Sequence, residues 1–183
     1  AGALVRSLDG GETWLDRVPS SKRDTHSMAT HPDRPGRVWA AAGDGYAETD
    51  DAGETWTTPT AGLGHGYCWS VVVDPADPES VLLTAASGPM RAHRVESAAA
   101  YLYRRVSRGD DDGGSWERLD ETGLPTGPGA TRAVLAAGRT GGECYAANDR
   151  GLYRTTDVGD SWDRLDVPWD RTRRTAGGLA VVA

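Results

Sequence analysis

The chain of 183 residues contains no phenylalanine, one lysine (Lys22) and two cysteines. Without Phe, a core has to be filled by Trp, Tyr, Leu and Val. Cys68 and Cys144 are too few for a disulfide framework. Basic charge is also short: 20 Lys and Arg against 27 Asp and Glu leave a net charge of −7. That balance argues against sequence-independent nucleic-acid binding, which needs clustered positive charge. Apolar runs such as 80–84 (SVLLT) are far short of a membrane span, so no membrane partner is expected. Arginine fills nearly every basic position, as GC-rich coding or a salt-adapted surface would produce. No signal peptide is visible. The chain opens at Ala1 inside a strand-like segment and reads as a soluble piece of a longer prokaryotic polypeptide, cytoplasmic or secreted.

Glycine, at 24 residues, suits many short strands and tight turns. One string recurs four times: SLDGGETW (7–14), TDDAGETW (49–56), GDDDGGSW (109–116) and TTDVGDSW (155–162). Its Trp positions, 14, 56, 116 and 162, are spaced by 42, 60 and 46 residues. A period of 42 to 46 fits a four-stranded propeller blade, typically ~40–50 residues. The longer spacing holds one insertion, over 90–100. The segments around 30–41 and 73–84 both read strand, Pro-x-x-Pro turn, strand, with the prolines in the turn. The segments 45–49, 101–105 and 151–155 alternate apolar and polar residues, and each runs into a copy of the string.

The expected fold is therefore all-β: a β-propeller of four-stranded antiparallel blades, here a partial segment of about three to four blades. A half-blade is expected over 1–20, with strands at 3–7 and 13–18. Blades follow at about 24–60, 66–120 and 130–167, and a first-strand stub at 175–183. In the first full blade the strands are expected at 26–30, 37–42, 45–49 and 55–59. The stub at 177–182 would leave an unpaired edge, met by the half-blade, by another chain or by nothing.

Within each string the Asp can accept backbone N–H groups. The Gly two residues later permits a left-handed backbone, and the leading Ser or Thr bonds locally. The Trp covers apolar area between strands. The structural set is Asp9, Gly11, Trp14; Asp51, Gly53, Trp56; Asp111, Gly113, Trp116; and Asp157, Gly159, Trp162, with all four Trp expected to be buried. A device present four times has a structural duty, whereas a catalytic site is needed once.

These strings resemble the Asp-box, or BNR repeat, of sialidase-like propellers, including proteins of glycosyl-hydrolase type. Three copies match fully; the third has Gly109 in place of the leading hydroxyl residue. The resemblance covers essentially the whole chain. It implies a ligand face opposite the boxes, built from the loops between blades and between second and third strands. Those loops hold Lys22, Arg23, Asp24 and His26; His65, Tyr67 and Trp69; Arg91, His93, Arg94 and Glu96; Asp149 and Arg150; and Arg171, Arg173 and Arg174. Blade alignment puts His26, Trp69 and Arg132 at equivalent positions, ringing the mouth of the central channel. The expected ligand set is His26, His65, Trp69, Arg91, His93, Arg94 and Arg132, for a carbohydrate or protein ligand.

A sialidase resemblance implies three Arg on a substrate carboxylate, a Tyr–Glu nucleophile pair and an Asp acid/base. That set does not map onto this chain, and the Arg-Ile-Pro motif is absent. Arg91, Arg94 and Arg132 are either carboxylate ligands or solvated loop residues. His65 and His93 lack metal-ligand spacing, and the run 110–113 fails the EF-hand pattern. No metal and no cofactor are expected. Cys68 falls near the mouth without a Cys–His signature, and Cys144 reads as core. The sequence favours a propeller scaffold that binds a ligand or protein through its loops. An exo-α-sialidase-like glycoside hydrolase is the alternative, and the remaining blades of the same polypeptide, or a second copy, are the structural partners.

Overall fold

The computed structural model describes residues 4–106, 114–169 and 176–182. It is almost entirely antiparallel β-sheet, arranged as blades of a propeller. The first blade is β1 (Thr25–His31), β2 (Arg34–Ala42) and β3 (Gly45–Thr49), in that order. The second is β4 (Tyr67–Asp74), β5 (Asp77–Ala86), β6 (Ala99–Val106) and β7 (Ser115–Leu119), with the short β8 (Gly127–Pro128) also pairing β6. The third is β9 (Val134–Ala137), β10 (Cys144–Asn148), β11 (Gly151–Thr155) and β12 (Asp163–Arg164). The 90–100 insertion forms a five-residue helix, α1 (Pro89–His93), and one 3-10 turn (Val95–Ser97).

Outer strands are shorter than the sequence reading expected. The fourth strand of the first blade is reduced to one bridge, Glu48 with Thr57, and the half-blade to one bridge, Arg6 with Leu15. Residues 176–182 form no strand. Second strands start earlier than expected, so Pro35 and Pro78 lie inside β2 and β5. They are tolerated because the ladder is irregular there: pairing jumps from Thr30–Val38 to His31–Arg34, and from Val73–Val81 to Asp74–Asp77. A proline N–H is not needed at such a bulge.

β1, β4 and β9 are the innermost strands, and serine stitches them together. The Val71 amide donates to Ser27 Oγ at 2.9 Å, and the Leu135 amide to Ser70 Oγ at 3.0 Å. The apolar core lies between blades, where Trp39, Tyr46, Val81, Leu83 and Tyr103 are buried in one cluster and Leu82, Leu102, Leu135 and Ala146 in the next. A buried ion pair also crosses between the first two blades: Glu48 pairs with Arg105, each side chain 7% exposed. The Tyr46 hydroxyl donates to Glu48 at 2.6 Å.

The repeated turn has one geometry wherever it is described. Gly53 N–H donates to Thr49 Oγ1 at 3.0 Å, and Thr55 N–H to the Asp51 carboxylate at 2.9 Å. Gly159 to Thr155 and Ser161 to Asp157 repeat both distances, and Gly11 to Ser7 and Thr13 to Asp9 repeat the pattern. Gly53 and Gly159 have φ of 87 and 88, where a side chain would be strained. Asp111 and Gly113 fall outside the described residues.

Each buried Trp of this turn is shared with the preceding blade. Trp56 packs with Leu4 of the half-blade, Trp116 with Trp39 and Tyr46 of the first blade, and Trp162 with Leu82, Leu102 and Leu119 of the second. The linker before each blade clasps the Trp main chain: Trp116 N–H donates to Ala61 O and Trp162 N–H to Thr122 O, both at 2.8 Å. At Gly62 and Gly123 a Cβ would run into the Trp116 and Trp162 carbonyls, and both have positive φ. Trp14 corrects the expectation of burial. It is 61% exposed, and no described residue supplies a blade before it.

Candidate functional site

The starts of the innermost strands carry a cluster of rings around one guanidinium. His26 and Trp69 are bulge residues. Pairing in β1 shifts between Thr25 and Ser27, and in β4 between Cys68 and Ser70, leaving each ring residue out of the ladder. A bulge re-aims its side chain, and here it brings the two rings within 4.2 Å of each other. His26 Nδ1 is 2.8 Å from the Cys68 carbonyl, so the contact also ties β1 to β4. Arg132 lies just before β9. Its backbone N–H donates to Ala92 O of α1 at 2.9 Å, docking the insertion on the mouth. Hairpin-turn aspartates fix the approaches: Asp44 accepts the amides of Arg23 and Asp24, and Asp149 the amide of Thr131.

Arg132 is 5% exposed. Its guanidinium carbon lies 3.6 Å from the centroid of the Trp69 ring, a cation–π stack. Nε donates to His93 Nδ1 at 3.0 Å, and Nη1 to the Ala176 carbonyl at 3.1 Å. No carboxylate is among its partners in the described residues. Burial lowers its pKa to about 10. His93 Nε2 is 3.0 Å from the Tyr67 hydroxyl. Since Nδ1 accepts from Arg132, the neutral ring carries its proton on Nε2 and donates it to Tyr67. Burial, then the charges of Arg132 and His26, bring the His93 pKa down to about 4. The Asp24 carboxylate lies 3.4 Å from His26 Nε2.

Of the seven expected ligand residues, the structure brings together His26, Trp69, His93 and Arg132. His65 is not with them. It stacks on Tyr101 at 4.3 Å and meets the Tyr103 hydroxyl, on the side of the second blade that faces the first. Arg91 on α1 and Arg94 just after it flank His93 but are exposed, and no hydrogen bond or ion pair of their side chains is seen among the described residues. Arg171, Arg173 and Arg174 lie outside the described residues. Sequence reasoning named Tyr67 only as a loop residue, although its alternation with Trp69 along β4 was a signal. It missed Ala176, which only the fold brings near. Cys68 and Cys144 are buried, and burial pushes both thiols up to about 12. No group of three His, Cys, Asp or Glu among the described residues could hold a metal ion. No helix there is long and apolar enough to cross a membrane.

No family model and no curated protein match the chain. Solved structures do. An ancestral GH74 enzyme superposes with a TM-score of 0.65 at 14% identity, over 90% of this chain and 21% of its own. The GH74 xyloglucanase from Xanthomonas campestris gives 0.55 at 22% identity, over 85% and 25%. YCF48 bound to a D1 peptide gives 0.52 at 21%, over 81% and 41%. The chain therefore spans less than half the length of these propellers, and the likeness establishes the β-propeller fold alone.

Proposed function

We propose that this chain is a segment of an Asp-box propeller acting as a binding scaffold, with its ligand seated at the mouth formed by His26, Tyr67, Trp69, His93 and Arg132. The observation that carries the reading is Arg132: a buried guanidinium, stacked on Trp69, with no carboxylate partner among the described residues. A buried cation of this kind favours an anionic group, and the surrounding rings supply flat apolar contact. A protein ligand is supported by the peptide-bound YCF48 propeller. The hydrolase reading ranks second. Glycoside cleavage commonly needs two carboxylates across the scissile bond, and among the described residues the carboxylate seen against the rings is that of Asp24.

Calorimetric titration of the intact protein with an acidic peptide and with 3′-sialyllactose separates the readings. The peptide is expected to bind, and Arg132→Gln and Trp69→Leu are expected to weaken it about 10-fold or more, with melting curves confirming that both variants fold. Failure of the peptide to bind, or equal binding by both variants, overturns the assignment. Hydrolysis of the sialoside by the parent overturns the scaffold reading in favour of the hydrolase.

A further inference from the structure

The hydrogen bonds of the mouth run in one direction, away from Arg132. A guanidinium has donors and no acceptor, so the 3.0 Å contact of Arg132 Nε makes His93 Nδ1 the acceptor. A neutral imidazole then carries its proton on the other nitrogen. His93 Nε2, 3.0 Å from the Tyr67 hydroxyl, is therefore the donor there, and the Tyr67 oxygen accepts. The Tyr67 O–H proton is left to point elsewhere. No acceptor for it is seen among the described residues, and Tyr67 is half-buried. Burial, and then the charge of Asp24, raise the Tyr67 pKa while Arg132 opposes them, so the phenol keeps its proton at neutral pH.

Arg132 is spent in the same one-sided way. Nε goes to His93, and Nη1 donates to the Ala176 carbonyl at 3.1 Å. Nη2 has no partner among the described residues, although Arg132 is 95% buried by its 5% exposure. The ring between the two open groups is held firmly. Trp69 meets His93 edge-on at 4.5 Å while stacking on Arg132, and Ala92, the neighbour of His93 on α1, is buried and takes the Arg132 amide. One fixed imidazole thus sets the direction of both unspent groups. Both are donors, and an acceptor-only group such as a carboxylate answers both.

We propose that Tyr67 is a second ligand donor of this mouth: its hydroxyl and Arg132 Nη2 hold one carboxylate of the ligand, and His93 is the positioning residue that aims both. The assignment rests on the scaffold reading and adds a specificity to it. A carboxylate offers acceptors to both donors. A carboxamide of the same shape turns N–H hydrogens toward one of them and leaves that donor unpaired, and a site with unpaired polar groups rejects such an isostere. The mouth therefore tells Glu from Gln in its ligand, and Tyr67 carries part of the discrimination.

The test is an NMR titration of the 15N-labelled intact protein with a blocked peptide containing one glutamate, and with its Gln counterpart. The parent should prefer the Glu peptide about 10-fold or more. Tyr67→Phe, and His93→Leu without touching the ligand, should each lower that preference about 5-fold or more, with melting curves showing that both variants fold. The imidazole nitrogen shifts of the parent read the relay directly, with the proton of His93 expected on Nε2 and none on Nδ1. A proton on Nδ1 at neutral pH overturns the assignment. If no acidic peptide binds the parent in the calorimetric titration, the scaffold reading falls and this assignment with it. If one binds there, yet the parent shows no Glu preference or Tyr67→Phe keeps it in full, this assignment falls alone.

Discussion

Trp14 and Trp56 stand in nearly identical strings, GGETW and AGETW, yet the fold treats them differently. Trp56 is 7% exposed, between Leu4 and the alanines of β2 and β3, whereas Trp14 is 61% exposed. Truncating a buried Trp removes its transfer free energy and leaves a cavity. Trp56→Ala should therefore cost about 3–5 kcal/mol in urea denaturation. Trp14→Ala should stay within about 0.5 kcal/mol. Equal losses would mean that the turn itself, and not the blade-to-blade contact, uses the Trp. The string announced the local part of the device: the hydroxyl–Gly and Asp–amide bonds follow from residue type and spacing alone. It was silent on burial, because what buries the Trp is the previous blade, whose contacting residues are distant in sequence.

At the level of elements, period and alternation located β1, β2 and β3, the strand–turn–strand of β4 and β5, and the third strands β6 and β11. The outermost strands were overestimated, since an edge strand has one neighbour and its pairing decays with few apolar contacts to hold it. The mouth was legible in part. Equivalence between blades found His26, Trp69 and Arg132, while the bulges that turn the first two inward leave no mark in the sequence. His93 was read as a loop residue because its setting depends on where α1 docks. That docking makes its charge state consequential. Its folded pKa, about 4, lies below the ordinary value of 6.5. The folded state thus binds fewer protons between those values. The stabilisation is present above pH 6.5 and is lost as pH falls toward 4. Protonation would set an N–H on Nδ1 against the Arg132 Nε–H. Melting temperature should fall more steeply from pH 7 to 4 in the parent than in His93→Gln, which cannot take up that proton. Parallel profiles would show that His93 does not titrate against the fold.

Across the whole molecule, stability in a blade array is a sum of blade terms and nearest-neighbour interfaces. The second blade has four strands and a buried cluster on each side, shared with the first blade and with the third. The half-blade has the single bridge of Arg6 and Leu15, held by two backbone hydrogen bonds of 3.1 and 2.7 Å. Opening free energies should grade accordingly. Amides of 4–18 should exchange fastest, and those of β4, β5 and β6 slowest. The Glu48–Arg105 pair gives a way to cut one interface selectively. Glu48→Gln leaves a buried guanidinium without its carboxylate at that contact, a loss of the order of 3–5 kcal/mol. Exchange should then accelerate in β2 and β3 and along the facing β6, while β10 and β11, a blade further on, keep their protection. A uniform rise across all three blades would instead mark the array as one cooperative unit, in which the second blade transmits the loss to the third rather than insulating it.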